Sequence, residues 1–400
     1  MYCYEPGQML ILPKRGGTKF INGTLSESDY DKLNIIYSAE DILRYCHLDN
    51  LLERFNAFPI LARVEEGEEV TQSKIYRKNP YIQVSIPNYH IFPSSSITPK
   101  INDPIISEAI DLVGCKVRNN ENWGEGVKIA LIDTGVNPDI LDKPESLEKI
   151  QYSTDKVDQI DPYDPIGHGS VVAHIINKIA PSSSILSIKA MEEVGNLGAI
   201  ITAIYLAEAE FKPDIYNFSM SFKCDTVCEF CGHHKLDTVT ESQLRLLFEL
   251  IDKIRKNNTD SRPLLVAAAG NNPNKVGMPA SFPNVFAVGS YDMNLKRVAS
   301  CSSYSRVPKG RFILAPGGSR DNKGFIASKY NWGGEDPFFG TSFSAAFVTG
   351  IAARYYCKGI STDIKPDRDL ILGIFKSNAQ KEPIYKYDSS KHGFGLANLH

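Results

Sequence analysis

Three short segments, far apart in the chain, carry the residue types of nucleophilic acyl transfer in the order Asp, His, Ser. Asp133 follows the apolar run 127–132, His168 stands between two glycines, and Ser342 follows a Gly-Thr pair. In such a set the His removes the hydroxyl proton of the Ser, and the Asp fixes the tautomer of the His and stabilises its imidazolium. The three residues together therefore predict a catalytic triad.

Taken singly, each motif has a simpler structural interpretation, because Asp-Thr-Gly and Gly-His-Gly often form turns and Gly-Thr-Ser often caps a helix. Their surroundings favour the triad. Run 127–132 predicts a buried parallel strand that ends at Asp133, and the apolar residues after His168 predict a buried helix. Small and apolar residues after Ser342 predict a central helix whose amino end, where free N–H groups favour negative charge, carries the nucleophile.

Segments between and after these motifs resemble the subtilisin-like serine proteases, or subtilases. The similar segments are 213–221, 264–271, 279–289, 314–317 and 393–398, within residues 116–400. The resemblance implies an α/β fold, with a three-layer parallel-sheet catalytic domain, and serine endopeptidase activity. It also implies that the side-chain amide of Asn271 binds the oxyanion beside the Ser342 N–H. One wall of the implied substrate cleft is Ser219, Met220 and Ser221, and the other is Ala268, Ala269 and Gly270.

The chain departs from the subtilase pattern at several positions. Ala346 replaces a proline one turn after the nucleophile, Ser170 replaces a threonine, and Val171 stands where many members have a second histidine. None of these changes removes a group that transfers protons. The connection 175–181 is too short for the calcium loop of secreted subtilisins, so we expect no calcium at that site.

A cluster of cysteines and histidines within 223–235 follows the predicted cleft strand. Its members are Cys224, Cys228, Cys231, His233 and His234. Three thiolates and one imidazole, from His233 or His234, suit a tetrahedral zinc site. Free or redox-active thiols and an iron-sulfur cluster are the alternatives. A metal here would act as a structural staple, or it would make the rim of the specificity pocket rigid and so restrict substrate choice.

Composition narrows the class of protein. The 400 residues are 42% hydrophobic, with a net charge of −3 that gives no reason to expect a nucleic-acid partner. We find no basic leader and no run long enough to span a bilayer, so we expect no membrane association. Eight cysteines without an export signal favour a reducing compartment, and we expect a cytoplasmic protein.

The first hundred residues predict a separate, small α+β domain. Segments 60–64 and 81–86 alternate like half-buried strands, and 38–45 begins like a capped helix. Residues 101–115 form a connector that contains a predicted helix, and 116–400 form the protease domain with its insertion at 223–235. Subtilases carry a comparable amino-terminal prodomain whose end occupies the cleft. The domain is thus interpreted as a prodomain or a retained inhibitory domain, with a domain that recruits a partner or substrate as the alternative.

The sequence therefore predicts a serine endopeptidase that hydrolyses peptide or protein substrates and is restricted in substrate or regulated. Two alternatives remain open at this point. One is a catalytically silent subtilase fold that serves as a binding or regulatory module. The other is a processing protease with one physiological target or a regulatory protein partner.

Overall fold

The computed structural model divides the chain into two compact units. One unit comprises residues 1–91, 194–211 and 222–260, and the other comprises 92–193, 212–221 and 261–400. The structure describes residues 4–13, 34–38, 60–79, 82–93, 103–116, 122–147, 152–153, 164, 166–192, 194–221, 238–257, 261–273, 275–304, 307–319, 339–360 and 366–400.

An antiparallel sheet with one helix forms the amino-terminal part of the first unit. Its elements are β1 (Tyr4–Pro13), β2 (Asn34–Ser38), β3 (Ile60–Arg63), α1 (Glu69–Tyr76) and β4 (Ile82–Pro93), and its strand order is β4-β1-β3-β2. Alternate residues of β1, β3 and β4 form a small apolar core, as the alternating pattern requires. Ser38 ends β2, and residues 39–45, which were predicted to form a helix, lie outside the described residues.

Two helices from later in the chain belong to this same unit. They are α4 (Leu197–Glu210), which follows the short strand β8 (Gly195–Asn196), and α5 (Thr238–Asn257). Strand β8 pairs with β4 at Ile91 and His90. The buried Asn88 side chain of β4 accepts a hydrogen bond from Gly198 N–H in the first turn of α4, at 2.8 Å. The amino-terminal sheet is thus joined to β8 by backbone pairing and to α4 by a helix cap.

A parallel sheet is the centre of the second unit. Its strands are β5 (Lys128–Asp133), β6 (Tyr152–Ser153), β7 (Ser184–Lys189), β9 (Ile215–Phe218), β11 (Leu264–Ala268), β12 (Val285–Asp292), β13 (Arg297–Val298) and β14 (Phe312–Pro316). The strand order is β13-β12-β11-β9-β5-β7-β6, with β14 also paired to β12, and of these strands only β13 runs antiparallel. Most residues of the central strands are buried, which is typical of parallel strands covered on both faces. The predicted α/β class is confirmed.

Helices of the second unit pack on this sheet through a large apolar core. They are α2 (Asp103–Leu112), α3 (His168–Ile179), α6 (Thr341–Ile360) and α7 (Arg368–Asn378). The short helix α8 (Ser389–His392) also belongs to this unit. Small residues allow α6 to lie close to α3, because a Cβ at Gly350 would come within 2.7 Å of the Ile179 side chain. Among the described residues, no helix is long and apolar enough to cross a membrane.

The second unit also contains the end of β4 and the two-residue strand β10 (Met220–Ser221), which comes just after β9. Pro93 lies opposite Met220 and Phe92 lies opposite Ser221, in antiparallel register. A segment that precedes the predicted protease domain is therefore paired with the strand predicted to line its cleft.

Candidate active site

The side chains of Asp133 and His168 meet at the carboxyl end of the parallel sheet. Asp133 is the last residue of β5, and His168 is the first residue of α3. The imidazole Nδ1 lies 2.6 Å from Asp133 Oδ1, and the two side chains are 1% exposed or less. An ionised carboxylate at this distance accepts the Nδ1–H and leaves Nε2 as the basic nitrogen. Nε2 is buried and has no hydrogen-bond partner among the described residues.

Ser342 is the second residue of α6, as the sequence predicts, and its side chain is buried. Its hydroxyl donates to the backbone oxygen of Ser219 at 3.1 Å. The Ser219 hydroxyl lies 2.8 Å from Asn217 Oδ1 and 3.0 Å from the backbone oxygen of Ser342. Asn217 is fixed in turn, because its amide donates to Thr349 of α6 at 2.9 Å. These contacts hold the start of α6 against the end of β9.

The side chain of Asn271 has a fixed orientation. Its Oδ1 accepts hydrogen bonds from the backbone N–H of Thr341 at 2.9 Å and from the Thr341 hydroxyl at 3.1 Å. The Thr341 hydroxyl also accepts the Gly270 N–H at 3.1 Å. The two N–H groups of Nδ2 have no acceptor among the described residues, and with Oδ1 used by donors this is the orientation that an oxyanion donor needs.

The residues predicted to line the substrate cleft lie at the ends of two adjacent parallel strands. Strands β9 and β11 pair from Ile215–Leu264 to Phe218–Ala267. The chain leaves them through Ser219, Met220 and Ser221 on one side and Ala268, Ala269 and Gly270 on the other. Neighbouring parallel strands end at the same edge of a sheet. Both segments contact the amino end of α6, because Ser219 accepts the Ser342 hydroxyl and Gly270 donates to Thr341.

A buried carboxylate, that of Asp164, organises the start of α3. It accepts hydrogen bonds at 2.7–3.1 Å from the backbone N–H groups of residues 166, 167 and 170 and from the hydroxyls of Ser170 and Thr134. Gly167, the N-cap of α3, has no side chain for this purpose, so Asp164 supplies the cap. Burial raises the pKa of Asp164 and outweighs the opposite effect of its donors.

Thr134 connects this cap to the predicted triad. Its hydroxyl donates to Asp164 and accepts the N–H of Gly169 at 2.9 Å. Its backbone N–H donates to Asp133 Oδ1 at 2.8 Å, the same oxygen that contacts His168. A Cβ at Gly169 would collide with the backbone oxygen of Gly135 and lie 3.1 Å from the Asp133 side chain. The end of β5 and the start of α3 are thus tied together closely.

Sequence reasoning did not single out the supporting roles of Asp164, Asn217, Thr341 and Thr349. A usable signal exists only for Asp164, because an acidic residue shortly before a helix whose N-cap is Gly is typical of a capping group. The contact of Thr341 with Asn271 spans 70 positions of the chain, and that of Asn217 with Thr349 spans 132, and spacing does not predict such contacts.

No group of three or more His, Cys, Asp or Glu side chains among the described residues is arranged to hold a metal ion. The predicted ligands Cys224, Cys228, Cys231 and His233 lie outside the described residues. Where secreted subtilisins have their calcium loop, α3 of this chain runs to Ile179, and β7 begins at Ser184.

Comparisons with known proteins identify the family of this chain. A family model described as "Subtilase family" matches residues 124–359. The subtilisin-like protease PopC of Myxococcus xanthus is 27% identical over 304 residues, which are 68% of this chain and 59% of PopC. An intracellular serine protease of Paenibacillus polymyxa is 27% identical over 284 residues, with 66% of this chain and 77% of that protein covered.

A solved structure shares the fold. The crystal structure of the epidermin leader peptide processing serine protease of Staphylococcus aureus aligns with a TM-score of 0.66 and 16% sequence identity. The alignment covers 99% of this chain and 97% of the other. The α/β fold implied by the sequence resemblance is thereby confirmed.

Proposed function

Because the chain belongs to the subtilase family, we propose that it is a serine endopeptidase. Ser342 attacks the carbonyl carbon of a peptide bond, and His168 takes the hydroxyl proton and returns it to the leaving amine. Asp133 orients the imidazole, and Asn271 with the Ser342 N–H stabilises the oxyanion. The observation that carries the proposal is the buried 2.6 Å contact between Asp133 and His168 Nδ1, which leaves the opposite ring nitrogen as the base.

Covalent labelling tests this proposal. We expect a fluorophosphonate to modify the wild-type protein once, at Ser342, and to leave Ser342→Ala unmodified. His168→Ala should react far more slowly although its nucleophile is intact, because the hydroxyl then has no base. Ser344→Ala is a matched control, since Ser344 lies in the same helix. Absence of labelling in wild type would support a silent binding or regulatory module instead.

We also propose that the amino-terminal domain, residues 1–100, is a prodomain or a retained inhibitory domain. The support is the pairing of Phe92 and Pro93 with β10, whose preceding residue, Ser219, contacts the hydroxyl of Ser342. An extended segment on this edge would exclude a peptide substrate from the same backbone groups. A domain that recruits a partner or substrate is the alternative.

Intact mass of wild type beside Ser342→Ala tests the domain proposal. Loss of an amino-terminal fragment from the wild type alone, with the new terminus in the residues soon after Pro93, is the expected result for a prodomain. If both proteins keep their full length and added peptide is cleaved only after the domain is displaced, the domain is a retained inhibitor. Full activity with the domain in place would overturn both forms of the proposal.

We propose that the enzyme is substrate-restricted and works in the cytoplasm. The reducing compartment is supported by Cys115 and Cys357, which are free thiols among the described residues. The intracellular relative and the leader-processing neighbour are consistent with a dedicated peptide substrate. Generic casein-derived peptides should therefore be poor substrates of a protein that a fluorophosphonate labels fully. Rapid, unselective digestion of casein would contradict the restriction.

For the segment 223–235 we propose a zinc site with Cys224, Cys228, Cys231 and His233 as ligands, on the basis of donor types and spacing. Metal analysis of the purified protein should give about one zinc per chain, reduced strongly in Cys228→Ser. Cys301→Ser is the control, because Cys301 lies outside the cluster. A wild-type protein purified without chelator and free of zinc and iron would favour free thiols.

A further inference from the structure

The hydroxyl of Ser342 is hydrogen-bonded to a backbone carbonyl oxygen and not to His168, its proposed base. It donates to the oxygen of Ser219 at 3.1 Å. His168 Nε2, the nitrogen that must take this proton, is buried and has no hydrogen-bond partner in the part of the chain that the structure describes. The nucleophile must therefore leave Ser219 before it can transfer its proton.

The register of the pairing between β4 and β10 shows which donor can replace the Ser342 hydroxyl at the Ser219 oxygen. Pro93 lies opposite Met220, and proline has no N–H, so these two residues cannot form a pair that exchanges two backbone hydrogen bonds. Hydrogen-bonded and non-hydrogen-bonded pairs alternate along an antiparallel ladder. The pair of Phe92 with Ser221 is therefore of the hydrogen-bonded type, and so is the position opposite Ser219, two residues from Ser221.

A substrate strand bound in this register thus directs a backbone N–H at the oxygen of Ser219. That N–H belongs to the residue after the one opposite Met220. It approaches the same oxygen that the Ser342 hydroxyl uses in the resting structure. The substrate donor and the nucleophile accordingly compete for one acceptor.

We propose that this substrate N–H displaces the Ser342 hydroxyl from the Ser219 carbonyl and thereby releases the nucleophile to His168. The inference rests on the proposed peptidase function and adds a step by which only a correctly registered backbone activates the enzyme. Once released, the hydroxyl donates to Nε2. Attack then forms the bond between Oγ and the substrate carbonyl carbon, the π electron pair moves to the carbonyl oxygen, and the proton passes from Oγ to Nε2.

The surroundings of Ser219 favour an exchange of donors over a movement of the carbonyl. The Ser219 side chain contacts Asn217 Oδ1 and the Ser342 backbone, and Asn217 is held by Thr349. These contacts join β9 to α6 and fix the backbone at Ser219. The Ser342 hydroxyl, by contrast, can move away from the Ser219 carbonyl by rotation about a single side-chain torsion.

Peptides with single ester replacements test the exchange. The parent is a synthetic peptide of residues 87–100 with Pro93→Ala, so that both positions of interest carry an N–H. One analogue replaces the N–H of residue 94, which follows the residue opposite Met220, by oxygen. The control analogue replaces the N–H of residue 93 in the same way. Oxygen removes the donor without adding bulk, and the control position needs none, since it is proline in the chain itself.

We expect the ester at residue 94 to lower kcat by about 10- to 100-fold, because the Ser342 hydroxyl then stays on the Ser219 oxygen. KM should stay within about 2-fold of the parent, because the substrate N–H only replaces the Ser342 hydroxyl as donor to that oxygen. The control ester should leave both constants within about 2-fold. A raised KM with unchanged kcat for the ester at residue 94 would overturn the inference, since the N–H would then serve binding alone.

Failure of the underlying proposal gives a different result. If a fluorophosphonate labels Ser342 but the parent peptide is not cleaved, the register is wrong and the inference falls while the hydrolase proposal stands. If Ser342 is not labelled at all, the proposed peptidase function fails first.

Discussion

Asn271 Oδ1 accepts the backbone N–H of Thr341 at 2.9 Å, and Thr341 immediately precedes Ser342. The proposed oxyanion donor and the proposed nucleophile are therefore positioned by the same peptide segment. A shift of the start of α6 would move both groups together, so the geometry of the attack and that of the oxyanion hole depend on one turn of helix.

Asn271→Ala should lower kcat by about 10²- to 10³-fold and change KM by less than about 3-fold, because the amide stabilises charge that develops only in the transition state. Steady-state kinetics on a cleaved peptide measures this. The exposed neighbour in Asn272→Ala is the matched control and should keep most of the activity. A raised KM with normal kcat in Asn271→Ala would assign Asn271 to substrate binding.

Gly169→Ala should lower kcat by about 10²-fold, because the new methyl group collides with Gly135 and pushes the His168 end of α3 away from Asp133. Kinetics and thermal unfolding are measured together. Gly373→Ala is the matched control, since a Cβ in the middle of α7 meets nothing within 4 Å. It should keep full activity and gain about 1 kcal/mol from helix propensity. Equal losses in both variants would rule out a role for the close approach at Gly169.

The raised pKa of Asp164 predicts how the free energy of unfolding depends on pH. Its pKa is raised in the folded protein, mainly by burial, from an ordinary value of 3.8. The folded state therefore holds this proton more tightly than the unfolded state. The stability that the proton contributes is complete below pH 3.8 and is lost as pH rises through the raised pKa.

Urea unfolding of Asp164→Asn and its parent between pH 3.5 and 7, both in a Ser342→Ala background to prevent autolysis, measures this effect. The free energy of unfolding of the variant should rise relative to that of the parent as pH increases. Asp388→Asn is the control with the opposite sign, because the pKa of Asp388 is lowered. If the difference between Asp164→Asn and its parent fell as pH rose, the direction assigned to Asp164 would be wrong.

Asn88→Ala should lower the free energy of local unfolding at the start of α4 by about 1–2 kcal/mol, because the Gly198 N–H loses its acceptor. Gln8→Ala is the control: it removes the acceptor of the Asn88 amide N–H and leaves the bond between Asn88 Oδ1 and Gly198 in place. Hydrogen exchange of the Gly198 amide in a Ser342→Ala background reports the effect. Unchanged protection in Asn88→Ala would show that this cap contributes little to the unit.

Much of the fold could be predicted from local pattern. Asp133 at the end of an apolar run, His168 between glycines before an apolar stretch, and Ser342 before small residues each occupy the predicted strand or helix terminus. Hydrophobic periodicity and the Gly pattern depend on neighbours in sequence, so they report secondary structure and its ends. The extension of β4 to Pro93 was not predicted, because its pairing partners lie more than one hundred residues later.

The sequence by itself determined the residue types of the chemistry, the elements that carry them and the family to which the chain belongs. Only the tertiary structure decided the contacts of Asp164 with Thr134, of Asn271 with Thr341 and of Ser342 with Ser219. It also decided that α4 and α5 group with the amino-terminal sheet. These relations join atoms 30 to more than 100 residues apart, and such contacts form only when packing of the whole core brings distant segments together.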